Sequence, residues 1–226
     1  QLTSGTTWHA AGLVSQLGPS ATITKIRKYT LDLYKELKFK VDHSPGLRLN
    51  GALSIADSEG RWQELLRQAT TAQLYNVDVK ILDKNQINKQ YPIVNTTHVL
   101  GGILMPDDGS ADPSGVTHML AKAAKMEGAK IYEKSPVTEI ITKNGRISGV
   151  KVNNHIIDCE YIVLASGMWS RQIGKKAGVS IPLYPAEHFY IITEPIRNLS
   201  SKLPVIRDFD NRIYIKEDAG KILVGI

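Results

Sequence analysis

One stretch of this chain, residues 137–170, constrains the fold most. It contains Asn144-Gly145 between two strand-like segments, and this pair is typical of a two-residue hairpin because both positions tolerate positive φ. The uniformly apolar run Tyr161–Ala165 follows, which is typical of a parallel strand buried on both faces. Ser166-Gly167 and the start of a helix come directly after it. The pattern predicts a small antiparallel meander, then a strand–turn–helix unit with ligand contacts at the edge of a parallel sheet.

The remainder of the chain alternates between helical and strand periodicity. Helices are predicted over residues 20–42, 59–75, 84–91 and 114–127, and strands over 51–56, 79–82, 99–105, 129–132, 137–142, 146–152 and 155–159. These elements indicate an α/β nucleotide-binding protein with an added antiparallel sheet. At this level an α/β protein without a nucleotide site remains an open alternative.

Composition excludes several classes of protein. The 226 residues contain a single cysteine, Cys159, which rules out an internal disulfide and any multi-cysteine metal site. The net charge of +6 comes from scattered Lys and Arg residues, and no nucleic-acid recognition motif accompanies it, so we interpret the charge as solubilising. No apolar run approaches the roughly 20 residues of a membrane-spanning helix. We therefore expect no nucleic-acid partner, no metal and no membrane span.

The segment TSGTTWHAAG near the start of the chain places His9 among small residues. Small side chains let a large flat ligand approach the backbone closely. Imidazole nitrogen is nucleophilic near neutral pH and can bond to an electrophilic cofactor carbon. From the residues alone, a helix start with Thr6 or Thr7 as N-cap and His9 in the first turn is the better interpretation of the segment.

Four motifs, taken in order along the chain, resemble one enzyme family. They are TSGTTWHAAG, DGSADP, VTEI…YIVLASGMWS and PAEHFYIITEPI, and together they resemble the dimethylglycine and sarcosine dehydrogenases, a branch of the D-amino-acid-oxidase-like flavoproteins. The resemblance implies an α/β fold with α+β character: a remnant of an FAD-binding Rossmann-like domain with an antiparallel β-meander, plus a mixed-sheet substrate domain. It assigns residues 1–45 and 100–180 to the FAD-binding domain, and 46–99 and 181–226 to the substrate-binding domain.

The resemblance also implies a set of cofactor contacts. His9 matches the histidine that is covalently bonded to FAD in that branch, and Thr7 and Trp8 lie beside it. Val137 is expected to meet the adenine end of FAD through its backbone. The remaining expected contacts are Ala165, Ser166 and Gly167 near the ribose and diphosphate, and Trp169 beside the isoalloxazine ring. For Trp169 a role as a core anchor is an equally good interpretation.

Two further residues match the substrate side of the flavin in the family. They are His188 in YPAEHFYIIT and Tyr214 in NRIYIKEDAG. Such a pair can steer the protonation of an amine substrate, bind its carboxylate and orient it for oxidation. Without the resemblance, His188 is an ordinary loop histidine and Tyr214 an ordinary strand tyrosine. With it, the implied activity is oxidative demethylation of an N-methyl amino acid, dimethylglycine or sarcosine, with the hydride-equivalent passing to covalently held flavin and the final electron acceptor unassigned.

One family feature is missing from the sequence. No G-x-G-x-x-G motif occurs in residues 1–226, although this motif holds the FAD diphosphate in such proteins. We therefore expect the chain to be an internal fragment that is inactive and holds FAD poorly alone, with any tetrahydrofolate-binding region outside it. The resemblance implies a cytoplasmic location in a bacterium and a mitochondrial matrix location in a eukaryote. Two alternatives remain: a non-catalytic regulatory relative, such as the regulatory subunit of pyruvate dehydrogenase phosphatase, and a related oxidase for another amine or hydroxy acid with non-covalent flavin.

Overall fold

A computed structural model describes residues 1–226 as two compact units. The smaller unit contains Gln1 and Lys130–Glu187, and the larger unit contains Leu2–Ala129 and His188–Ile226. Both mix helices with strands, so the expected α/β fold with α+β character is confirmed. The assignment of residues 1–45 and 100–180 to a cofactor domain, and 46–99 and 181–226 to a substrate domain, stays a prediction, because compactness does not show which residues hold a ligand.

Four of the five α-helices begin at a side-chain cap. Ser20, Ser58, Asp83 and Asp112 each accept a hydrogen bond from a backbone N–H in the first turn that follows them, which satisfies donors that a helix start leaves unpaired. The helices are α1 (Ala21–Lys40), α2 (Glu59–Leu74), α3 (Lys84–Gln90), α4 (Pro113–Met126) and α5 (Ser170–Lys176), with single 3-10 turns at Thr7–His9 and Gly167–Trp169.

Twelve strands form three sheets. The strands are β1 (Leu13–Val14), β2 (Ala52–Ala56), β3 (Lys80–Asp83), β4 (Gly101–Met105), β5 (Gly109–Ser110), β6 (Val137–Lys143), β7 (Arg146–Val152), β8 (His155–Asp158), β9 (Tyr190–Ile192), β10 (Val205–Asp208), β11 (Ile213–Asp218) and β12 (Lys221–Gly225).

The larger unit is organised around a seven-stranded mixed sheet in the order β3-β4-β2-β10-β11-β12-β9. Only β2 and β10 run parallel, and every other neighbouring pair is antiparallel. On one face, Leu65 and Ala69 of α2 pack against Ile103 of β4 and Ala56 of β2. On the other face, a second cluster around Leu53, Ile87 and Leu104 covers the same end of the sheet. Apolar side chains therefore cover both faces of the sheet at this end.

The smaller unit contains the predicted meander, β6-β7-β8. Its first turn uses Asn144 and Gly145 at φ of 53° and 76°, so the predicted hairpin is confirmed. The 3-10 turn at Gly167–Trp169 leads directly into α5, which confirms the predicted helix start after Ser166-Gly167.

Two predicted strands are wrong. Tyr161–Ala165 is extended but belongs to no sheet, and Tyr161 and Val163 are 85% and 90% exposed. An apolar segment becomes a buried strand only when neighbouring strands pair with it, and no strand within residues 1–226 does so. Residues 129–132 also form no strand. The first of them, Ala129, donates its N–H to the Ala124 carbonyl at the C-terminal end of α4, so this N–H is not available to a neighbouring strand.

None of the five α-helices combines the length and the hydropathy that crossing a bilayer requires.

The packing of α2 on the sheet predicts a sharp contrast between two opposed isoleucines. Ile103 and Ile81 are register partners on β4 and β3, yet Ile103 is fully buried and Ile81 is 54% exposed. We expect Ile103→Ala to lower the free energy of unfolding by about 2–5 kcal/mol. The matched control Ile81→Ala should change it by about 0.5 kcal/mol or less. Chemical denaturation measures both, and equal losses would show that α2 does not seal this face.

Candidate active site

His9 lies on an exposed 3-10 turn, Thr7–His9, in the larger unit. The backbone N–H of His9 donates to the Thr6 carbonyl at 3.2 Å. Its ring packs on Trp8 with centroids 3.6 Å apart at 32°. The interpretation of this segment as a helix start is correct only in part. A 3-10 turn forms, but it ends at His9, and no side chain caps it. The imidazole is therefore accessible from solvent beside a large aromatic surface.

The residues after His9 are held against the DGSADP turn by a close backbone approach. Gly12 has φ of +71°, and its carbonyl accepts a hydrogen bond from the Ala111 N–H at 2.8 Å. A Cβ at Gly12 would overlap the Ala111 carbonyl oxygen, so only glycine fits here. Beside this contact, Leu13 and Val14 pair with Ser110 and Gly109. Two motifs that are about a hundred residues apart in sequence thus form one local structure.

Asp112 and Pro113 at the end of this turn are structural. The Asp112 carboxylate accepts hydrogen bonds from the N–H groups of Ser114 and Gly115, both at 3.0 Å, and Pro113 occupies the first helical position of α4. This agrees with the preference for Asp as N-cap and for proline at the first position.

A lysine ties the same loop to the seven-stranded sheet. Lys216 lies on β11, its side chain is 13% exposed, and its Nζ donates to the Ala11 carbonyl at 3.0 Å. Because Ala11 is two residues from His9, this hydrogen bond fixes the loop over the sheet face that carries Lys216. The sequence reasoning did not identify Lys216.

His188 and Tyr214 come together as the resemblance implied. His188 Nε2 lies 3.2 Å from the Tyr214 hydroxyl oxygen, and the two rings are stacked with centroids 6.0 Å apart at 11°. His188 lies two residues before the start of β9, and Tyr214 lies within β11. The sheet therefore joins two residues that are 26 positions apart.

The strand register explains how Tyr214 reaches His188. Tyr214 lies opposite Gly225 on β12, and Gly225 lies opposite Tyr190 on β9. A Cβ at Gly225 would overlap the Tyr214 phenol, so the glycine leaves the space that this ring occupies. Burial raises the pKa of Tyr214, and the nearby Tyr190 acts in the same direction. The Tyr214 hydroxyl is therefore protonated at neutral pH and can donate a hydrogen bond.

Tyr214 also forms part of the wall of a cavity of about 260 Å³. Leu13, from the His9 loop, and Arg207, from β10, lie on the same wall. Sequence reasoning missed Arg207, although its signal was present: an arginine stands between Ile206 and Asp208 in a strand whose other members are buried. A charged residue within such a strand is a candidate functional residue because burial of an unpaired charge is costly.

The expected cofactor contacts of the smaller unit lie along β6 and at the 3-10 turn. Val137 is the half-buried first residue of β6 and pairs with Val152. The Trp169 N–H donates to the Ser166 carbonyl at 3.1 Å, and Trp169 is 46% exposed. Ala165 is exposed, and Gly167 has φ of +53° with open space where a Cβ would stand. The exposure of Trp169 does not support its interpretation as a core anchor.

Comparison with known proteins gives consistent matches over the whole chain. The 4-methylaminobutanoate oxidase (formaldehyde-forming) of Paenarthrobacter nicotinovorans is 37% identical over 224 residues, covering 99% of this chain and 27% of that protein. Human mitochondrial sarcosine dehydrogenase is 33% identical, covering 100% and 25%. Mouse mitochondrial dimethylglycine dehydrogenase is 30% identical, covering 100% and 26%. The chain thus spans about a quarter of the length of the curated relatives it matches.

Solved structures share the fold. L-proline dehydrogenase from P. horikoshii superposes with a TM-score of 0.90 at 26% identity, over 99% of this chain and 60% of that one. Glycine oxidase from Bacillus cereus superposes with a TM-score of 0.78 at 22% identity, over 98% and 60%. The family described as FAD dependent oxidoreductase (DAO) matches residues 1–226. With this match over its full length, the chain belongs to the DAO family of FAD-dependent oxidoreductases and is related to the N-methyl amino acid dehydrogenases.

Proposed function

We propose that the full-length protein is an FAD-dependent amine dehydrogenase or oxidase that oxidatively demethylates an N-methyl amino acid, such as dimethylglycine or sarcosine. The observation that carries the proposal is the hydrogen-bonded His188–Tyr214 pair, set on the sheet to which Lys216 ties the His9 loop. The relatives support the substrate class, because the named substrates of three of them, 4-methylaminobutanoate, sarcosine and dimethylglycine, are all N-methylated amino acids.

The residues present fit a covalently held flavin. The His9 imidazole is exposed, it makes no hydrogen bond to another side chain, and the Trp8 ring beside it is 55% exposed. Small residues follow His9 and leave room for a flat ring system. We therefore assign His9 as the attachment residue, with Thr7 and Trp8 contacting the ring system. When bound, the flavin supplies the two-electron acceptor for amine oxidation.

The remaining cofactor contacts are assigned to residues 1–45 and 100–180. We assign Val137 to the adenine end. Ala165, Ser166 and Gly167 are assigned to the ribose and diphosphate, because the open space at Gly167 permits close approach of a ligand to the backbone. Trp169 is assigned to the isoalloxazine ring or the loop beside it. Residues 46–99 and 181–226 then supply the substrate side.

His188 and Tyr214 control the protonation and position of the substrate. An amine at neutral pH carries a proton, and only the neutral amine has the lone pair from which an iminium forms. We assign His188 to accept this proton and Tyr214 to hold His188 through the 3.2 Å hydrogen bond. Loss of a hydride-equivalent from the N-methyl carbon gives an iminium, which water converts to formaldehyde and the demethylated amine. The protonated Tyr214 hydroxyl adds no negative charge beside an anionic substrate.

Partners and location follow from the same assignment. We assign any tetrahydrofolate contact to a region outside this chain. Two matched relatives are mitochondrial, so we propose the mitochondrial matrix for a eukaryotic source and the cytoplasm for a bacterial one.

A regulatory role is the second candidate, because the mouse pyruvate dehydrogenase phosphatase regulatory subunit is also 30% identical over 228 residues. A non-catalytic subunit has no chemical need for an exposed His9 together with a paired His188 and Tyr214. We therefore favour catalysis.

The attachment assignment predicts that flavin stays with the denatured polypeptide. Full-length protein run on a denaturing gel should show a flavin-fluorescent band, and His9→Ala should abolish it because no other residue of this loop is a comparable nucleophile. His155→Ala, an exposed histidine of β8, serves as the control and should keep the band. Release of flavin from the denatured wild type would refute the covalent bond.

The protonation assignment predicts slow flavin reduction in site variants. In stopped-flow measurements, wild-type holoprotein should be reduced by sarcosine or dimethylglycine but not by glycine. His188→Ala should slow reduction about 10²–10⁴-fold, the range of a lost acid–base group. Tyr214→Phe should slow it less, because the ring remains and only the hydroxyl is lost.

Tyr184→Phe is the matched control, since Tyr184 is 86% exposed and makes no side-chain hydrogen bond. Its reduction rate should equal that of the wild type. An unchanged rate in His188→Ala would remove His188 from the mechanism, and a full-length protein that no amine reduces would favour the regulatory role.

A further inference from the structure

The hydrogen bonds of the turn that carries His9 close within the turn. One runs from the His9 N–H to the Thr6 carbonyl at 3.2 Å, and the other runs from the Ala10 N–H to the Thr7 carbonyl at 3.1 Å. All three residues of the turn are exposed, and no side chain caps it. The His9 imidazole packs only on Trp8, the residue directly before it. These contacts give the turn its shape, but they do not fix its distance from the seven-stranded sheet.

Ala11 is the first residue after this turn that a hydrogen bond joins to another element. Its carbonyl accepts from Lys216 Nζ at 3.0 Å, and Lys216 lies on β11. The next bond, between the Ala111 N–H and the Gly12 carbonyl, joins the chain to the DGSADP turn rather than to the sheet. Two residues of backbone span at most about 7 Å. The Lys216–Ala11 bond therefore limits how far His9 can move from the sheet.

Lys216 reaches the loop from a largely buried position. Its side chain is 13% exposed, and it projects to the sheet face that carries Tyr214, two positions before it on β11. The carboxylate of Asp218 lies 3.7 Å from Nζ and is half exposed. Burying an ammonium group costs free energy that an apolar side chain in the same place would not cost. Packing alone thus does not explain the lysine, and its shortest polar contact is with the Ala11 carbonyl.

Covalent attachment of a flavin demands close control of one distance. A nitrogen of His9 must come within about 3–3.5 Å of a methyl carbon on the flavin ring before a bond can form. As the bond forms, the methyl group and the imidazole each lose one proton. The two electrons left on the ring then pass to dioxygen, which takes up two protons and becomes hydrogen peroxide. Because a misplacement of about 1 Å can cost about 10²-fold in rate, a bond only two residues from His9 acts directly on this step.

We propose that Lys216 is a positioning residue for flavin attachment: its ammonium group holds the Ala11 carbonyl and thereby sets His9 within bonding distance of the ring methyl group. This proposal rests on the proposed function, because it takes His9 as the attachment residue. In this scheme Lys216 acts through Ala11 and needs no contact with the flavin or the substrate. It determines how fast bound FAD becomes covalent, whereas the capacity to bind FAD belongs to the other cofactor contacts.

The test follows attachment and binding separately in the full-length protein. Apoprotein prepared without riboflavin is mixed with FAD in air, samples are denatured at intervals, and flavin fluorescence on a denaturing gel gives the covalent fraction. Lys216→Met keeps the apolar stem but removes the ammonium group, so attachment should slow about 10- to 100-fold. The Kd of FAD, measured in a His9→Ala background where no attachment occurs, should stay within about threefold of its value with Lys216 present.

Two further variants separate the role of the ammonium group from a general effect of substitution. Lys216→Arg keeps a charged donor that a single carbonyl can accept, so it should attach flavin faster than Lys216→Met. Lys80→Met is the matched control, because Lys80 is an exposed lysine on β3 of the same sheet. Its attachment rate should equal that of the wild type.

Several results would overturn the assignment of Lys216. They are attachment at the wild-type rate in Lys216→Met, equal slowing in Lys80→Met, and a Lys216→Arg variant as slow as Lys216→Met. A Kd of FAD that rises in Lys216→Met as much as attachment slows would also overturn it, because Lys216 would then support the whole site. A wild type without covalent flavin would overturn the roles of both His9 and Lys216. A wild type that attaches flavin but oxidises no N-methyl amino acid would refute the proposed activity alone.

Discussion

The close backbone approach between Gly12 and Ala111 is the contact on which the candidate site depends. It joins the loop after His9 to the turn that begins α4, and it requires a residue without a side chain at a positive φ. The Gly12–Ala111 hydrogen bond and the β1–β5 pairing then hold the loop from one side. Lys216 holds it from the sheet through the Ala11 carbonyl. His9 owes its position to these backbone contacts, since its side chain packs only on the neighbouring Trp8 ring and makes no hydrogen bond to another side chain.

The two ends of the seven-stranded sheet differ in the residues that cover them. At the β3-β4-β2 end, both faces are covered by apolar clusters, so this part of the sheet is a rigid support. Towards β11 and β12, the face that carries Tyr214 also carries Arg207 and Lys216, and we propose that the substrate binds on this face. A rigid support matters because proton transfer needs the substrate and the accepting nitrogen within hydrogen-bond distance.

Much of the fold was predictable from local sequence signals, and the errors have one physical cause. The Asn144-Gly145 hairpin and the helix after Ser166-Gly167 depend on nearby residues, and both were predicted correctly. Tyr161–Ala165 was predicted wrongly because a strand needs partners, and an apolar pattern does not show whether a partner exists. The pairing of His188 with Tyr214 came from family resemblance rather than from periodicity. Lys216 was missed because its contact with the Ala11 carbonyl joins two distant segments, which a single sequence does not reveal. Arg207 was missed although a charged residue beside apolar residues in a short strand is a local signal.

The most direct test of the account is the stoichiometry of one anaerobic turnover. Full-length holoprotein, mixed with excess sarcosine in the absence of any electron acceptor, should release one formaldehyde and one glycine for each flavin that becomes reduced by two electrons. This result follows from removal of a hydride-equivalent from the N-methyl carbon and hydrolysis of the iminium. Flavin reduction without formaldehyde would place the oxidised bond elsewhere in the amine, and flavin that stays oxidised with every N-methyl amino acid would contradict the proposed activity.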